Sequence, residues 1–174
     1  MESQKGKCTH HSDCEFEIHK DDLCILHCEK TGEETEEEIS LFNARLADYA
    51  AIYLEEKSGG AISKEVTKSF LTKHVHNKIF EEYSLEIKDI NFPSIDMAKL
   101  SIKNMHNKKY IQCDFNFGLF LNENSFNYYL FSEYYIDCEI SSLIITDIDF
   151  QKLYNNRKVI VEKTFYNKKK DDGF

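Results

Sequence analysis

The residues best suited to chemistry in this chain are cysteines and histidines concentrated near its N-terminus. Four of the six cysteines fall within 21 residues, and four histidines lie among them. The cysteines are Cys8, Cys14, Cys24 and Cys28, and the histidines are His10, His11, His19 and His27. The first residues lack the apolar core of a secretory signal, so we expect a cytoplasmic protein. In that setting, clustered cysteines and histidines favour metal binding over disulfides.

The spacing of the cluster predicts which side chains bind the metal. Structural zinc takes four thiolate or imidazole ligands in a tetrahedron. Two residues separate Cys24 from His27, so a single turn can bring both to one ion. The adjacent His27 and Cys28 point in different directions in most conformations, so only one of them is expected to bind. The expected zinc ligands are Cys8, Cys14, Cys24 and His27. Cys28 is the alternative fourth ligand, and His10 and His11 are weaker substitutes.

The competing interpretation of this segment is a flexible tail with reduced, unliganded cysteines. Apolar residues are scarce between residues 1 and 30, so a bound metal would be the main source of folding energy there. A four-membered cluster is uncommon by chance, and it favours a structural zinc ion over the tail.

Two helical segments follow the cluster and would connect it to the rest of the chain. Thr35 and Glu38 have the spacing of a capping box, which predicts a helix start. Gly59 and Gly60 predict the end of that helix, since they supply backbone freedom that no other residue has. Apolar residues recur between these points at steps of mostly three and four. A second helix is predicted over about residues 63–83. The residues expected on its buried face are Val66, Phe70, Val75, Ile79, Phe80 and Tyr83.

Beyond this connector, hydrophobic residues recur at every fifth position. From Ile90 to Phe150, twelve of the thirteen positions in this register are hydrophobic. A period of five fits neither a helix nor a strand. It predicts a solenoid of square coils in which one bulky apolar residue from each side points to the axis. The residues expected to be buried are Ile95, Leu100, Phe115, Phe120, Ile140 and Ile145.

This series resembles the pentapeptide-repeat proteins, whose pattern is a small residue, Asp or Asn, Leu or Phe, and two exposed residues. The best matches are Cys113-Asp114-Phe115, Ala98-Lys99-Leu100 and Cys138-Glu139-Ile140. The stretch from Cys24 to Lys30 is similar to a Cys/His leader with a CILHCEK-like motif in a bacterial subgroup of the family. Ile90-Asn91-Phe92-Pro93 resembles the entry into the repeats of that subgroup. The resemblance implies a right-handed quadrilateral β-helix, here short and degenerate.

The predicted fold is therefore mixed and has four parts. Residues 1–30 form a Cys/His zinc-type head, 31–84 a helical connector, 85–153 a degenerate pentapeptide-repeat solenoid and 154–174 a basic C-terminal tail. The alternative is an α+β fold with an antiparallel sheet packed on the helices, because short runs such as Phe115, Phe117 and Leu119 alternate as strands do.

Composition and motifs narrow the class of function. The net charge of −9 disfavours general nucleic-acid binding, and no apolar run is long enough to span a bilayer. The chain has no nucleophile elbow, phosphate-binding glycine loop or zinc-protease motif. Cys113 is interpreted as a small core residue of the repeat rather than a nucleophile.

We therefore expect a non-enzymatic binding or scaffold protein that uses a solenoid surface and a structural zinc head. Its partner would be another protein of unknown identity, and solenoid ends that need covering make a homodimer an option. One alternative is a nucleic-acid-associated module built on the zinc head and the basic tail, with Lys168–Lys170 as its basic run. An enzyme of unknown type is the least favoured class.

Overall fold

The computed structural model of the chain describes residues 6–10, 14–73, 80, 82–105, 107–117, 119–121, 133–141 and 143–145. Within these residues two α-helices are followed by seven short strands and one 3-10 helix. The helices are α1 (Glu36–Lys57) and α2 (Lys64–Lys73). The strands are β1 (Leu85–Lys88), β2 (Lys108–Ile111), β3 (Asp114–Phe115), β4 (Leu119–Leu121), β5 (Glu133–Ile136), β6 (Glu139–Ile140) and β7 (Leu143–Ile145), and the 3-10 helix is Met97–Lys99.

Helix α1 begins and ends where its local signals predict. The Thr35 hydroxyl accepts a hydrogen bond from the Glu38 backbone N–H at 3.2 Å. The Glu38 carboxylate accepts one from the Thr35 N–H at 2.8 Å, so the predicted capping box is confirmed. Past the C-terminus, Gly59 and Gly60 have φ angles of +61° and +85°, a left-handed conformation in which glycine is not strained. Both ends of the helix are therefore set by residues adjacent to it in sequence.

Helix α2 has Phe70 on its buried face, as predicted, but not Val66. Val66 is exposed, whereas Thr67, Phe70 and Leu71 are buried. The Phe70 ring stacks on Phe80 with ring centroids 4.1 Å apart, and this contact fixes the rotation of the helix. The prediction for Val66 is wrong because a short helix can satisfy its apolar positions at more than one rotation. Part of the predicted segment, residues 74–79, lies outside the described residues.

The strands form three small parallel sheets. The largest has the order β1–β2–β5, and the others pair β3 with β6 and β4 with β7. Tyr110 lies opposite Tyr135, and Phe115 lies opposite Ile140. The alternative prediction of an antiparallel sheet is wrong, since every pair of these strands is parallel.

The predicted right-handed quadrilateral β-helix is also wrong. The sheets of three and two strands do not close into square coils within the described residues. Where the prediction required straight sides, residues 97–105 form the 3-10 helix and further turns. The Lys99 N–H donates to the Asp96 carbonyl at 2.8 Å, and the Met105 N–H donates to the Ile102 carbonyl at 3.0 Å. Hydrogen bonds over three residues thus replace inter-strand bonds along this stretch.

The described positions of the five-residue register are nevertheless buried or partly buried. Ile95, Leu100, Phe115 and Ile140 are at most 7% exposed, although Ile95 and Leu100 lie outside the strands. The side chains of Phe120 and Ile145, also predicted to be buried, lie outside the described part of the structure. The hydrophobic period thus predicts which side chains enter the core, but not the elements that carry them.

A residue in the left-handed backbone conformation follows each strand of the three-stranded sheet. Asp89, Gln112 and Asp137 have φ angles of +56°, +54° and +52°, and each comes directly after the last residue of β1, β2 or β5. This conformation is uncommon for residues other than glycine, and aspartate tolerates it better than most. It changes the direction of the chain at the same point in all three strands.

The buried side chains form one cluster that includes the N-terminal segment, the helices and the strands. Phe92 illustrates the continuity, since its ring contacts Phe42 of α1 at 5.5 Å between centroids and stacks on Phe115 of β3 at 4.5 Å. Leu26, from the cysteine-rich segment, is fully buried in the same cluster. The domain boundaries at residues 30 and 84 stay a prediction, but the core is continuous across both.

Candidate metal centre

Four side chains of the N-terminal segment bring potential ligand atoms into one group. The Sγ atoms of Cys8, Cys14 and Cys24 and a ring nitrogen of His27 all lie within 4.8 Å of one another. The three sulfurs are 3.4, 3.6 and 3.3 Å from His27 Nδ1, in that order, and Cys14 Sγ is 3.9 Å from Cys24 Sγ. In a tetrahedron with Zn–S of about 2.3 Å and Zn–N of about 2.0 Å, the S···S and S···N edges are about 3.8 and 3.5 Å. These four separations lie within about 0.2 Å of those edges, and every pair in the group lies within 4.8 Å.

A two-armed loop and a tight turn supply these ligands. In the loop, the Cys8 N–H donates to the Phe16 carbonyl at 2.9 Å, and this bond holds the arm that carries Cys8 against the other arm. Cys14 lies in the segment that joins the two arms. In the turn, the N–H groups of His27 and Cys28 both donate to the Cys24 carbonyl, at 3.0 and 2.9 Å. This helical turn places Cys24 and His27 on the same side, as the two-residue spacing predicts.

The structure places His27, and not Cys28, beside the three sulfurs. Cys28 Sγ lies 3.8 Å from the Ile25 carbonyl and 3.4 Å from the Lys30 ammonium, on another side of the turn. His10, considered as a substitute ligand, stacks its ring on that of His27 with centroids 4.3 Å apart. His11 lies outside the described residues. Cys28 therefore faces elsewhere, and His10 packs against the His27 ring.

Burial controls the protonation of the thiols. It raises the pKa of Cys24 to about 12 and also raises the pKa of Cys14. At Cys8 burial acts in the same direction, but hydrogen bonds from the backbone of Cys24 and His10 bring the pKa below its usual value. A metal ligand must be a thiolate, so an ion entering this group has to displace protons from at least Cys14 and Cys24.

A cleft of about 820 Å³ borders the site. Cys14, which is half-buried, and His27 lie on one wall, and Tyr49 and Tyr53 of α1 are also among its lining residues. The cleft can therefore admit solvent to Cys14. Four protein ligands complete a tetrahedron and leave no position at which a metal-bound water could be activated.

Asn91, which the ligand pattern does not include, connects this site to the strands. Its side-chain amide donates to the His27 carbonyl at 2.8 Å and to the Cys28 carbonyl at 3.3 Å. Its backbone N–H donates to the Leu26 carbonyl at 2.9 Å, and Asn91 pairs with Asp114 in a parallel bridge. The ligand-bearing turn is thus hydrogen-bonded to the part of the chain that contains strands β1–β7, which is called the β-region below. Asn91 belongs to the stretch Ile90-Asn91-Phe92-Pro93 that the sequence singles out, but its residue type alone does not indicate this contact.

Lys30 is the other residue that the ligand pattern does not include. Its ammonium donates to the carbonyls of Ile25 and Cys28 at 2.7 and 2.8 Å, so it holds the turn through two backbone groups. Only its proximity to the last cysteine of the cluster could have suggested a role.

The two downstream cysteines belong to the core. Cys113 and Cys138 are at most 3% exposed, and their thiols donate to the carbonyls of Ile87 and Tyr110, each at 3.3 Å. Burial raises the pKa of Cys113, which disfavours the thiolate that a nucleophile needs. This environment agrees with the interpretation of Cys113 as a small core residue.

Comparisons of the chain with protein-family models, curated proteins and solved structures give no match. The resemblance to pentapeptide-repeat proteins therefore stays a prediction from its motifs. In the described part of the chain, no helix has both the length and the apolar character needed to cross a membrane.

Proposed function

We propose that this protein is a non-enzymatic binding module whose Cys8, Cys14, Cys24 and His27 hold a structural zinc ion. The observation that carries the proposal is the convergence of three sulfurs and one imidazole nitrogen within 4.8 Å. Thiolate and imidazole ligands in a tetrahedral arrangement suit zinc, and they suit magnesium and calcium poorly.

The surroundings of the site support a structural role for the ion. Cys8, Cys24 and His27 are buried, and Leu26 between the last two is fully buried in the shared core. The zinc ion would fix the turn in the conformation that presents the carbonyls of Leu26 and His27 to Asn91. Its function is then to hold the N-terminal segment as a cover over one edge of the β-region.

The chemistry of the metal centre and of Cys113 supports a binding role. With four protein ligands a bound zinc ion would have no open coordination position, and Cys113 is buried with a raised pKa, so neither is suited to turnover. We expect a protein partner, because the acidic chain has a poor charge for nucleic acid. The basic tail on which the nucleic-acid alternative depends, residues 154–174, lies outside the described residues.

Metal content of the purified chain and of two neighbouring cysteine variants tests the metal centre. We expect one zinc ion per chain in the wild type, none in Cys24→Ser, and an unchanged content in Cys28→Ser, which is the matched control because its sulfur lies outside the group. Removal of zinc with a chelator should make the bonds around residues 6–30 sensitive to protease. A wild-type protein that takes up no zinc, or a Cys24→Ser protein that keeps it, would contradict the proposal.

The binding role needs its own experiment. Affinity capture from the native host should recover a protein partner with the zinc-loaded wild type. Less of that partner should be recovered with Cys24→Ser if the N-terminal segment presents or supports the binding surface. Recovery of a nucleic acid in place of a protein would favour the alternative function. Turnover of a substrate that depends on the bound zinc would overturn the non-enzymatic assignment.

A further inference from the structure

Lys30 is a buried cation beside the candidate metal centre. It is only 6% exposed. Its ammonium lies 5.6 Å from the centroid of the Phe42 ring and 3.4 Å from Cys28 Sγ, in addition to its bonds to two carbonyls of the ligand-bearing turn. Lysine is rarely this buried in proteins unless an opposite charge or several acceptors compensate for the lost water.

The charges around Lys30 explain why it is retained in the interior. Burial lowers its pKa, while the sulfurs of Cys28 and Cys24 and the carboxylate of Glu34 act in the opposite direction and favour the charged form. Opposite charges attract strongly in a medium of low polarity, so a buried ammonium held against the ligand-bearing turn favours negative charge nearby.

A zinc ion bound by three thiolates and one neutral imidazole has a net charge of −1, from simple addition of formal charges. A buried group with an uncompensated charge is unfavourable unless a partner of opposite charge lies nearby. On the basis of the proposed zinc centre, we propose that Lys30 is its positioning residue and counter-charge. Lys30 fixes the Cys24–Cys28 turn through the carbonyls of Ile25 and Cys28 and balances the negative charge of the loaded site.

The two parts of this role can be separated by substitution. Lys30→Arg keeps the charge and the hydrogen-bond donors, Lys30→Gln keeps a donor without the charge, and Lys30→Met removes both. Lys108→Met is the matched control, because Lys108 is also buried and its ammonium lies 3.2 and 3.4 Å from the carbonyls of Met105 and Ile102, away from the ligands. Each substitution is made in the full chain.

The measurement is zinc affinity, obtained by competition with a chelator of known strength under conditions in which the variant is folded. Loss of a residue that orients metal ligands from outside the coordination sphere typically weakens affinity by about 10–100-fold, and we expect this for Lys30→Met. Lys30→Gln should fall between Lys30→Met and the wild type, and Lys30→Arg should stay within about threefold of the wild type. Lys108→Met should lower stability while leaving zinc affinity unchanged.

A spectroscopic measurement distinguishes positioning from general stabilisation. With cobalt in place of zinc at saturating concentration, the visible absorption bands report the geometry of the site. They should shift in Lys30→Met and stay the same in Lys108→Met. If Lys30→Met does not fold, the comparison of Lys30→Gln with Lys30→Arg tests the charge by itself.

Zinc affinities of Lys30→Met and Lys30→Gln within about threefold of the wild type would overturn this inference and leave the proposed zinc centre intact. A wild-type chain that binds no zinc would instead remove the centre itself. The two failures are therefore distinguishable by the wild-type measurement.

Discussion

The cysteine-rich segment and the β-region are ordered by different means. Between residues 6 and 28, order comes from four converging ligand atoms and a few backbone hydrogen bonds. In the β-region it comes from rings and aliphatic side chains stacked in register across parallel strands, as where Tyr110 stacks on Tyr135 at 4.9 Å. The proposed zinc ion would add to the first arrangement an order that the chain does not supply by itself, whereas the second arrangement needs only the chain.

This difference means that the two regions should respond to different perturbations. Metal chelation and acid act on thiolates and should affect the N-terminal segment first. Loss of apolar volume should affect the β-region first. The hydrogen bonds of Asn91 join the two regions, so unfolding of one region should also affect the other.

The largest expected effect is on the β-region, from Phe115→Ala. Phe115 is 2% exposed and stacked on Phe92, so its removal leaves a cavity, and we expect a loss of about 3–5 kcal/mol in the free energy of unfolding. Denaturant titration measures this loss, and the zinc content should stay at the wild-type value. Ile136→Ala is the control, since Ile136 is 39% exposed and its removal should change stability by no more than about 0.5 kcal/mol. Equal losses in the two variants would mean that Phe115 is not a core residue.

Local and non-local structure could be predicted from the sequence to different degrees. The capping box at Thr35 and the pairing of Cys24 with His27 in one turn depend on neighbours in sequence, and both are present in the structure. Whether parallel strands close into a coil depends on contacts between residues more than twenty positions apart, and a five-residue period carries no information about closure. It identified Leu100 as buried while assigning it to the wrong element.

The surroundings of the metal site were the least predictable part. The types and spacing of the four ligands indicate a site because zinc chemistry restricts both. Lys30 contacts carbonyls of its own turn, and Asn91 reaches back over more than sixty residues. Neither contact follows from residue type, since any lysine or asparagine could make such bonds, and only the folded chain shows which ones do.

The next effect in size is the pH dependence of zinc binding. Burial holds the pKa of Cys24 near 12 and raises that of Cys14, so both thiols are protonated in the free protein at neutral pH and zinc must displace both protons. Affinity should therefore fall as pH falls, by roughly 100-fold per pH unit for two displaced protons. Competition titrations at several pH values between about 6 and 8 measure the slope. Cys28→Ser should have the wild-type slope, and a slope near zero would mean that the thiols are already ionised.

The smallest of these effects tests the link between the regions. Asn91→Ala leaves the His27 carbonyl without its side-chain donor, and we expect a cost of about 1–3 kcal/mol in the free energy of unfolding. Amide hydrogen exchange should become faster both in the Cys24–Cys28 turn and at Asp114, the bridge partner of Asn91. Asn43→Ala is the matched control, because Asn43 also bonds to a backbone group, the Ser101 N–H at 2.8 Å, away from the ligands. Unchanged exchange in the turn would mean that the two regions unfold independently.

The left-handed residues Asp89, Gln112 and Asp137 limit how this sequence can vary. At each of them the allowed substitutions are decided by the backbone and not by the chemistry of the side chain. Glycine, asparagine and aspartate can adopt the conformation at low cost, whereas valine, isoleucine and threonine would be strained. Glutamine adopts the left-handed conformation less readily than aspartate does. Gln112 is therefore the position at which a change to glycine or asparagine would be most readily accepted. In a protein library randomised at these three positions, the variants that fold should be mainly those whose residues tolerate a positive φ, whatever contacts their side chains make.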